Sequence, residues 1–553
     1  MNRPISPLQR ARIDFAAKLP AVFTEHGAHV AADVAATVPL VADQKGIPEQ
    51  FPHTGGLPFV AFRGGDTTDR SALNVAVILS GGQAPGGHNV IAGLFDGLKS
   101  LSVDSRLYGF KGGPDGLVAN DYVELTAKFV DAYRNTGGFD MIGSGRGKLE
   151  DEDQYRKVRS NCEALGITGI VVIGGDDSNT NACVLAEFFC KDDAGISVIG
   201  CPKTIDGDLK NGAIETSFGF DTACKEYSDV IGNVARDAAS ARKYWHFIKL
   251  MGRSASHITL ECALQTQVNI ALISEEVENR DQTLDDVVTE ITQVIVKRSE
   301  QGRNYGVALV PEGLIEFIPE IKILIRELND LLAATPVSLA RDLAASESVD
   351  ALGQLGLTPS SAAVYRSLPD SIRHQLVKDR DPHGNVHVSS IETEKLLIEM
   401  VGARLTSMKA AGEYGGKYAT QHHFFGYEGR CAMPSNFDAN YSYSLGYSAA
   451  ALLGTGKTGY ISCVRNLTAP PEQWQPGGVP ATAMMNIEQR KGKAVPVIQK
   501  ALVELDGAPF KAFSKQRENW SIDDCYLFPG AIQYFGPADL CDATPHTLAL
   551  EQQ

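Results

Sequence analysis

Short apolar runs alternate with helix-length amphipathic stretches from residue 72 to about residue 311. The first run, Ala72–Leu79, leads into Ser80-Gly81-Gly82-Gln83-Ala84-Pro85-Gly86-Gly87 and then a helical pattern from Asn89. Ile167–Ile173 is followed by Gly174-Gly175-Asp176-Asp177 and a helix from Ser178 to about Phe189. Ile196–Ile199 precedes Pro202-Lys203-Thr204-Ile205-Asp206-Gly207-Asp208. Phe247–Leu250 precedes Met251-Gly252-Arg253 and a helix over Ser254–Gln265, and Asn269–Ile273 and Val307–Val310 continue the series. This alternation predicts an α/β fold whose mostly parallel sheet carries helices on both faces. Ligands of such sheets bind beyond the carboxyl ends of the strands, which is where the glycines and charged residues cluster here.

The rhythm fails in three places. Residues 1–70 are mixed and rich in Ala, Pro and Gly, and predict an extension packed on the main body. Between about Leu314 and Ala411 the pattern turns helical, with helices expected over Phe317–Leu332 and Glu392–Ala410, as in a helical insertion. Beyond Leu467 the prolines and glycines predict a peripheral tail, with a helix near Val495–Leu505.

At 553 residues the chain exceeds what one core holds, so two or three domains are expected. A net charge of -16 argues against nucleic acid and against an anionic membrane as general partners, since both need a positive footprint. It leaves phosphate ligands open, because local cations and backbone N–H groups bind them whatever the global sign. The ten cysteines are scattered singly, which suits free thiols in a reducing compartment better than disulfides or zinc. The start lacks the apolar core of a secretory signal, and no apolar run approaches the ~20 residues that span a bilayer. A cytoplasmic location is the resulting expectation.

The chemistry lies at the strand ends. Glycines at 81 and 82, between a strand and a helix start, let N–H groups approach an anion, though a tight turn explains them equally well. Asp176 and Asp177 repel each other and repel phosphate. A Mg²⁺ ion on phosphate oxygens and one Asp would compensate, while a helix cap accounts for one of the pair but not both. Asp206 could accept a proton from an attacking hydroxyl and Lys203 neutralise a transferred phosphoryl group, with an Asp–Gly turn as the plainer alternative. Arg253 suits a sugar phosphate, and Glu312 in Pro311-Glu312-Gly313 suits sugar hydroxyls. Gly454-Thr455-Gly456-Lys457-Thr458 imitates a nucleotide loop, but the earlier glycine is Ala451 and a helical run precedes it where a strand is required.

In this order, from about Asn74 to Leu467, these segments resemble the phosphofructokinase family. The length, N-terminal extension and insertion are similar to its long, pyrophosphate-dependent branch. The resemblance implies two doubly wound, Rossmann-like domains. Residues 71–218 with about 429–490 would bind the donor and Mg²⁺, residues 219–428 the sugar phosphate, and residues 491–553 would form a tail. It implies reversible transfer of a phosphoryl group from pyrophosphate to the 1-hydroxyl of fructose 6-phosphate. Gly82 matches the glycine that contacts the donor phosphate, and Asp176 the magnesium-associated aspartate. Asp206, after Thr204 and Ile205, matches the base, Asp208 its companion carboxylate, and Arg146 the arginine bridging phosphates. Met251, Gly252, Arg253, Glu312 and Tyr427-Glu428-Gly429-Arg430 match the sugar-phosphate site. Lys243 and Tyr244 match the residues a neighbouring subunit contributes, which implies at least a homodimer.

Two positions bear on the donor. ATP-using members carry Gly-Gly-Asp-Gly and Pro-Gly-Thr-Ile-Asp at these loops, whereas this chain has Asp177 and Lys203 at the varied positions. A carboxylate at 177 fills and charges the space of an α-phosphate, while Lys203 offers its charge to a bare diphosphate, so the pair favours pyrophosphate over ATP. The sugar site departs from shorter members, with Tyr427 in place of His and Gln421 in place of an arginine. An ATP-dependent enzyme and a non-catalytic subunit of the same fold are the competing readings. A dinucleotide-dependent oxidoreductase is disfavoured because no good Gly-x-Gly-x-x-Gly follows a strand.

Overall fold

A computed structural model describes residues 6–34, 46–65, 71–334, 342–343, 345–346, 348–378, 385–490 and 493–530. Among them the strands run, in chain order, β1 (Val30–Val34), β2 (Val60–Gly64), β3 (Asn74–Ser80), β4 (Arg106–Phe110), β5 (Tyr122–Glu124), β6 (Ser144–Gly145), β7 (Gly169–Gly174) and β8 (Ser197–Pro202). There follow β9 (Tyr244–Leu250), β10 (Ile270–Ala271), β11 (Tyr305–Pro311), β12 (Thr420–Phe425), β13 (Tyr460–Arg465), β14 (Gln475–Pro480), β15 (Met485–Arg490) and β16 (Lys493–Ile498). The chain divides into two compact units. One holds the residues up to Glu226 together with Tyr427–Ala501, and the other holds Tyr227–Gly426 together with Leu502–Gly530.

The first unit is built on a ten-stranded sheet in the order β1-β2-β14-β13-β8-β7-β3-β4-β5, with β6 pairing off β3. Its centre, β13-β8-β7-β3-β4, is parallel, and its flanks are antiparallel. Every residue of β7 (GIVVIG) is buried, as expected of a parallel strand covered on both faces. The helices Gly87–Leu101 and Asn436–Gly454 bury nearly their whole length against each other. Gly93 and Gly446 permit this close approach, because a side chain at either would strike backbone of the facing helix. The second unit has a four-stranded parallel sheet, β10-β11-β9-β12. Its core runs from Trp245 and Phe247 on β9 into the helices of the insertion, through Ile321, Leu324 and Leu328 to Leu396 and Leu397.

The insertion is helical as expected, with helices including Leu314–Phe317, Pro319–Ala334 and Thr393–Ala410. Two expectations need correction. The N-terminal stretch is more than a packed extension, since β1 and β2 enter the main sheet, where β2 pairs antiparallel with β14. The segment near Val495–Leu505 is not a helix. Its first residues form β16, paired with β15 in a hairpin, and the helix comes later, at Ala508–Ile522. Val495-Pro496-Val497-Ile498 favours this outcome, because β-branched residues prefer strands and Pro496 cannot donate within a helix. Among the described residues no helix is long and apolar enough to cross a membrane. The nine described cysteines are free thiols.

Candidate active site

The residues expected to bind the donor gather where β3, β7 and β8 end, in the first unit. Gly81 adopts a left-handed conformation (φ 83°), which glycine accepts without strain. Its N–H donates to Gly145 O at 2.8 Å, and Ser80 pairs with Gly145 through β6, so the exposed Arg146 follows directly from the strand beside the glycine loop. A Cβ at Gly81 would stand 3.4 Å from Lys203 Nζ, and one at Gly82 would collide with Arg430 Nη1. Two cations therefore press against the loop whose N–H groups favour an anion. Arg430, expected with the sugar phosphate, stands against the Gly81-Gly82 loop.

Lys203 follows β8 and is 7% exposed. Burial and then the nearby Arg430 guanidinium push its ammonium down to about 8, against the opposing pull of Asp206, Asp176 and Asp208. Its N–H donates to Gly174 O at 2.9 Å, tying the loop after β8 to the end of β7. Asn179, a residue the sequence pattern did not single out, reinforces that tie. Its buried amide donates to Gly174 O (2.6 Å), Gly175 O (2.9 Å) and Cys201 O (3.3 Å). Ser178 Oγ donates to Ser80 Oγ at 2.8 Å, joining the third strand end.

The carboxylates differ in setting. Asp176 and Asp177 form the first turn of the helix Asp176–Lys191, where negative charge suits the helix dipole. Asp177 is 3.3 Å from Lys148 Nζ, on the loop that carries Arg146. In the turn after Lys203, Asp206 N–H donates to Thr204 Oγ1 at 3.0 Å, Ser217 Oγ donates to Thr204 O at 3.2 Å, and Ile205 is buried. Gly207 takes φ 74° and lets the chain turn back to the buried Asp208. The sequence offered no signal for Lys500, just past β16. Its Nζ stands 3.5 Å from both Asp176 Oδ2 and Asp208 Oδ2. Among the described residues no three His, Cys, Asp or Glu converge on a metal position. Two carboxylates converging on one cation do suit Mg²⁺, which takes one or two and fills its other positions with water and phosphate oxygens.

In the second unit, Met251 and Gly252 follow β9 and Glu312 follows β11. Gly252 N–H donates to Glu312 Oε2 at 3.0 Å and Met251 N–H to Phe425 O at 3.1 Å, while Arg253 is exposed. Gly252 has φ 121°, which disfavours any side chain there. Lys243 and Tyr244 are elsewhere, at the opposite end of β9, with Lys243 Nζ 4.6 Å above the Tyr244 ring. Seven residues of strand separate the two ends, roughly 20 Å at the usual rise. Back in the first unit, Tyr427 and Glu428 are exposed, Gly429 is buried, and the Arg430 guanidinium sits 5.9 Å from the Tyr427 ring centre. The imitation nucleotide loop runs from the helix ending at Gly454 to β13, the reverse of the order phosphate binding needs.

A phosphofructokinase family model matches residues 74–453. The chain is 55% identical to the pyrophosphate–fructose 6-phosphate 1-phosphotransferase of Porphyromonas gingivalis over 99% of each chain. It is 52% identical to the protein of that name from Treponema pallidum, over 99% of this chain and 97% of the other. A crystal structure described as a pyrophosphate-dependent phosphofructokinase from Nitrosospira multiformis shares the fold. Its TM-score is 0.54 at 16% identity, over 82% of this chain and 92% of that one. With glycine loops and charged turns at the ends of parallel strands, and likeness running along almost its whole length, the chain belongs to the phosphofructokinase family.

Proposed function

We propose that the chain transfers a phosphoryl group reversibly between pyrophosphate and the 1-hydroxyl of fructose 6-phosphate, giving fructose 1,6-bisphosphate and phosphate. The carrying observation is the buried Lys203 ammonium beside Arg430 and the Gly81-Gly82 loop, with Asp177 at the neighbouring helix start. A compact cationic cradle suits a small diphosphate. The names borne by relatives along the whole chain point the same way.

In this reading Gly82, Lys203, Arg146 and Arg430 bind the pyrophosphate. Asp206 takes the proton from the sugar 1-hydroxyl as its oxygen attacks phosphorus, and phosphate leaves as the bridging P–O bond breaks. In reverse, Asp206 returns the proton. Phosphoryl transfer depends mostly on positioning and charge stabilisation, which Lys203, Arg146 and Arg430 supply. Mg²⁺, when bound, would neutralise charge on the donor oxygens, held by Asp176 with Asp208 beside it. Met251, Gly252, Arg253, Glu312, Tyr427, Glu428 and Gly429 hold the sugar phosphate, with Thr204 and Ile205 shaping the turn that presents Asp206. Lys243 and Tyr244 serve the site of a second copy, a role supported by their distance along β9 from Met251 within one chain. Asp177 excludes ATP by occupying and charging the space of its α-phosphate.

The test is turnover of fructose 6-phosphate by the purified chain with each donor and Mg²⁺. Turnover with pyrophosphate and none with ATP is expected. Turnover with ATP alone overturns the assignment.

A further inference from the structure

Lys500 belongs to a stretch whose sequence suggests no chemistry, yet the fold brings it to the donor-side carboxylates. The neighbouring Ala501 N–H donates to Asp208 O at 2.7 Å, which fixes the backbone at this point. Just upstream, Ile498 N–H donates to Thr180 Oγ1 at 3.1 Å, on the helix that Asp176 begins, and Gln499 N–H donates to Met484 O at 2.9 Å. The ammonium is thus held near both acids by main-chain bonds on either side of it, 3.5 Å from each. Asp208 is buried, and the Asp176 and Lys500 side chains are 30% and 36% exposed, so the contact is partly shielded from water.

The charges make the contact informative. Asp176, Asp206 and Asp208 lie around Lys203, whose own proton affinity is already weakened by burial and then by Arg430. With Lys500 the three carboxylates meet three cations. Without it the group carries excess negative charge, unfavourable for a donor anion and favourable for a divalent cation. A divalent ion bound at ~2.1 Å to a carboxylate oxygen repels an ammonium on that same oxygen, so the two compete.

We infer that Lys500 is the resident counter-ion of the Asp176–Asp208 pair, and that Mg²⁺ must displace it to bind there. This rests on the proposal that Asp176 holds the metal. The displaced ammonium, on a flexible four-carbon stem, stays within reach of the donor phosphates. Metal binding without donor is thereby kept weak, and the lysine's charge is released as the metal arrives.

The experiment is Mn²⁺ binding to the full chain without pyrophosphate, followed by the electron paramagnetic resonance signal of free Mn²⁺. It compares the native chain, Lys500→Met, Lys500→Arg and Asp176→Asn. Lys500→Met is expected to bind Mn²⁺ about fivefold tighter, the scale of one partly exposed ion pair, with Lys500→Arg close to native. Equal or weaker binding by Lys500→Met, with Asp176→Asn still abolishing it, overturns this inference alone. Absence of Mn²⁺ binding to Lys500→Met overturns it too. Mn²⁺ binding that ignores Asp176→Asn removes the metal assignment and this inference together.

Discussion

Each unit buries a lysine close to the end of a parallel strand, and the two are treated in opposite ways. Lys249, on β9, is 4% exposed. It donates to Ile391 O at 3.0 Å, lies 3.7 Å from the buried Glu394 Oε2 and rests 4.6 Å above the Phe424 ring. It has a carbonyl, a carboxylate and a ring face, the partners that make a buried ammonium tolerable. Lys203 is buried as well, and burial first, then a neighbouring guanidinium, lowers its proton affinity to about 8 despite three nearby carboxylates. The first lysine fastens the helix Thr393–Ala410 to the sheet. The second is kept under electrostatic tension that an incoming polyanion would relieve. Burial is common to the two lysines; the charges around them are what differ.

Substitutions at and beside the two lysines test that contrast. The largest effect falls on Lys249→Met, which strands Glu394 as an uncompensated buried carboxylate. A loss of about 3–5 kcal/mol in urea unfolding is expected, and a loss under about 1 kcal/mol would mean that the pair holds little. On the donor side, Asp206→Ala should cut turnover at least ~100-fold, the usual scale for a general base, with stability nearly unchanged. Near-native turnover would remove Asp206 from the mechanism. The smallest effect is a pH dependence. Lys203 is charged below about pH 8 and loses its proton as pH rises through that value. Pyrophosphate affinity, corrected for the ligand's own ionisation, should therefore weaken above pH 8 by up to about tenfold per unit. A flat profile would mean that its charge plays no part.

Much of the candidate site was legible because its signals are local. β3, β7 and β8 are continuous apolar runs followed at once by their glycines and carboxylates, so strand and chemistry sit within about a dozen residues. The helical insertion was legible for a similar reason. What escaped depends on distant pairing. β2 is short and partly exposed, and its partner β14 lies some four hundred residues onward, so no local periodicity marks it. Val495–Leu505 spaces its apolar residues helically, yet pairing with β15 and the presence of Pro496 decide for a strand. The nearness of Arg430 to Gly82 likewise comes only from the fold. Asn179 and Lys500 act through backbone carbonyls and through carboxylates brought together by the sheet, which no spacing in the sequence encodes.

Lys203→Met is the most direct test, measured for both kcat/KM toward pyrophosphate and the urea unfolding midpoint. A folded state that lowers a lysine's proton affinity loses stability at neutral pH by keeping it charged, and regains it as pH climbs from about 8 toward the ordinary lysine value. Removing the charge should leave the midpoint level or raised while kcat/KM falls about 100-fold or more. A lowered midpoint with kcat/KM intact would contradict the account and make Lys203 a structural lysine like Lys249.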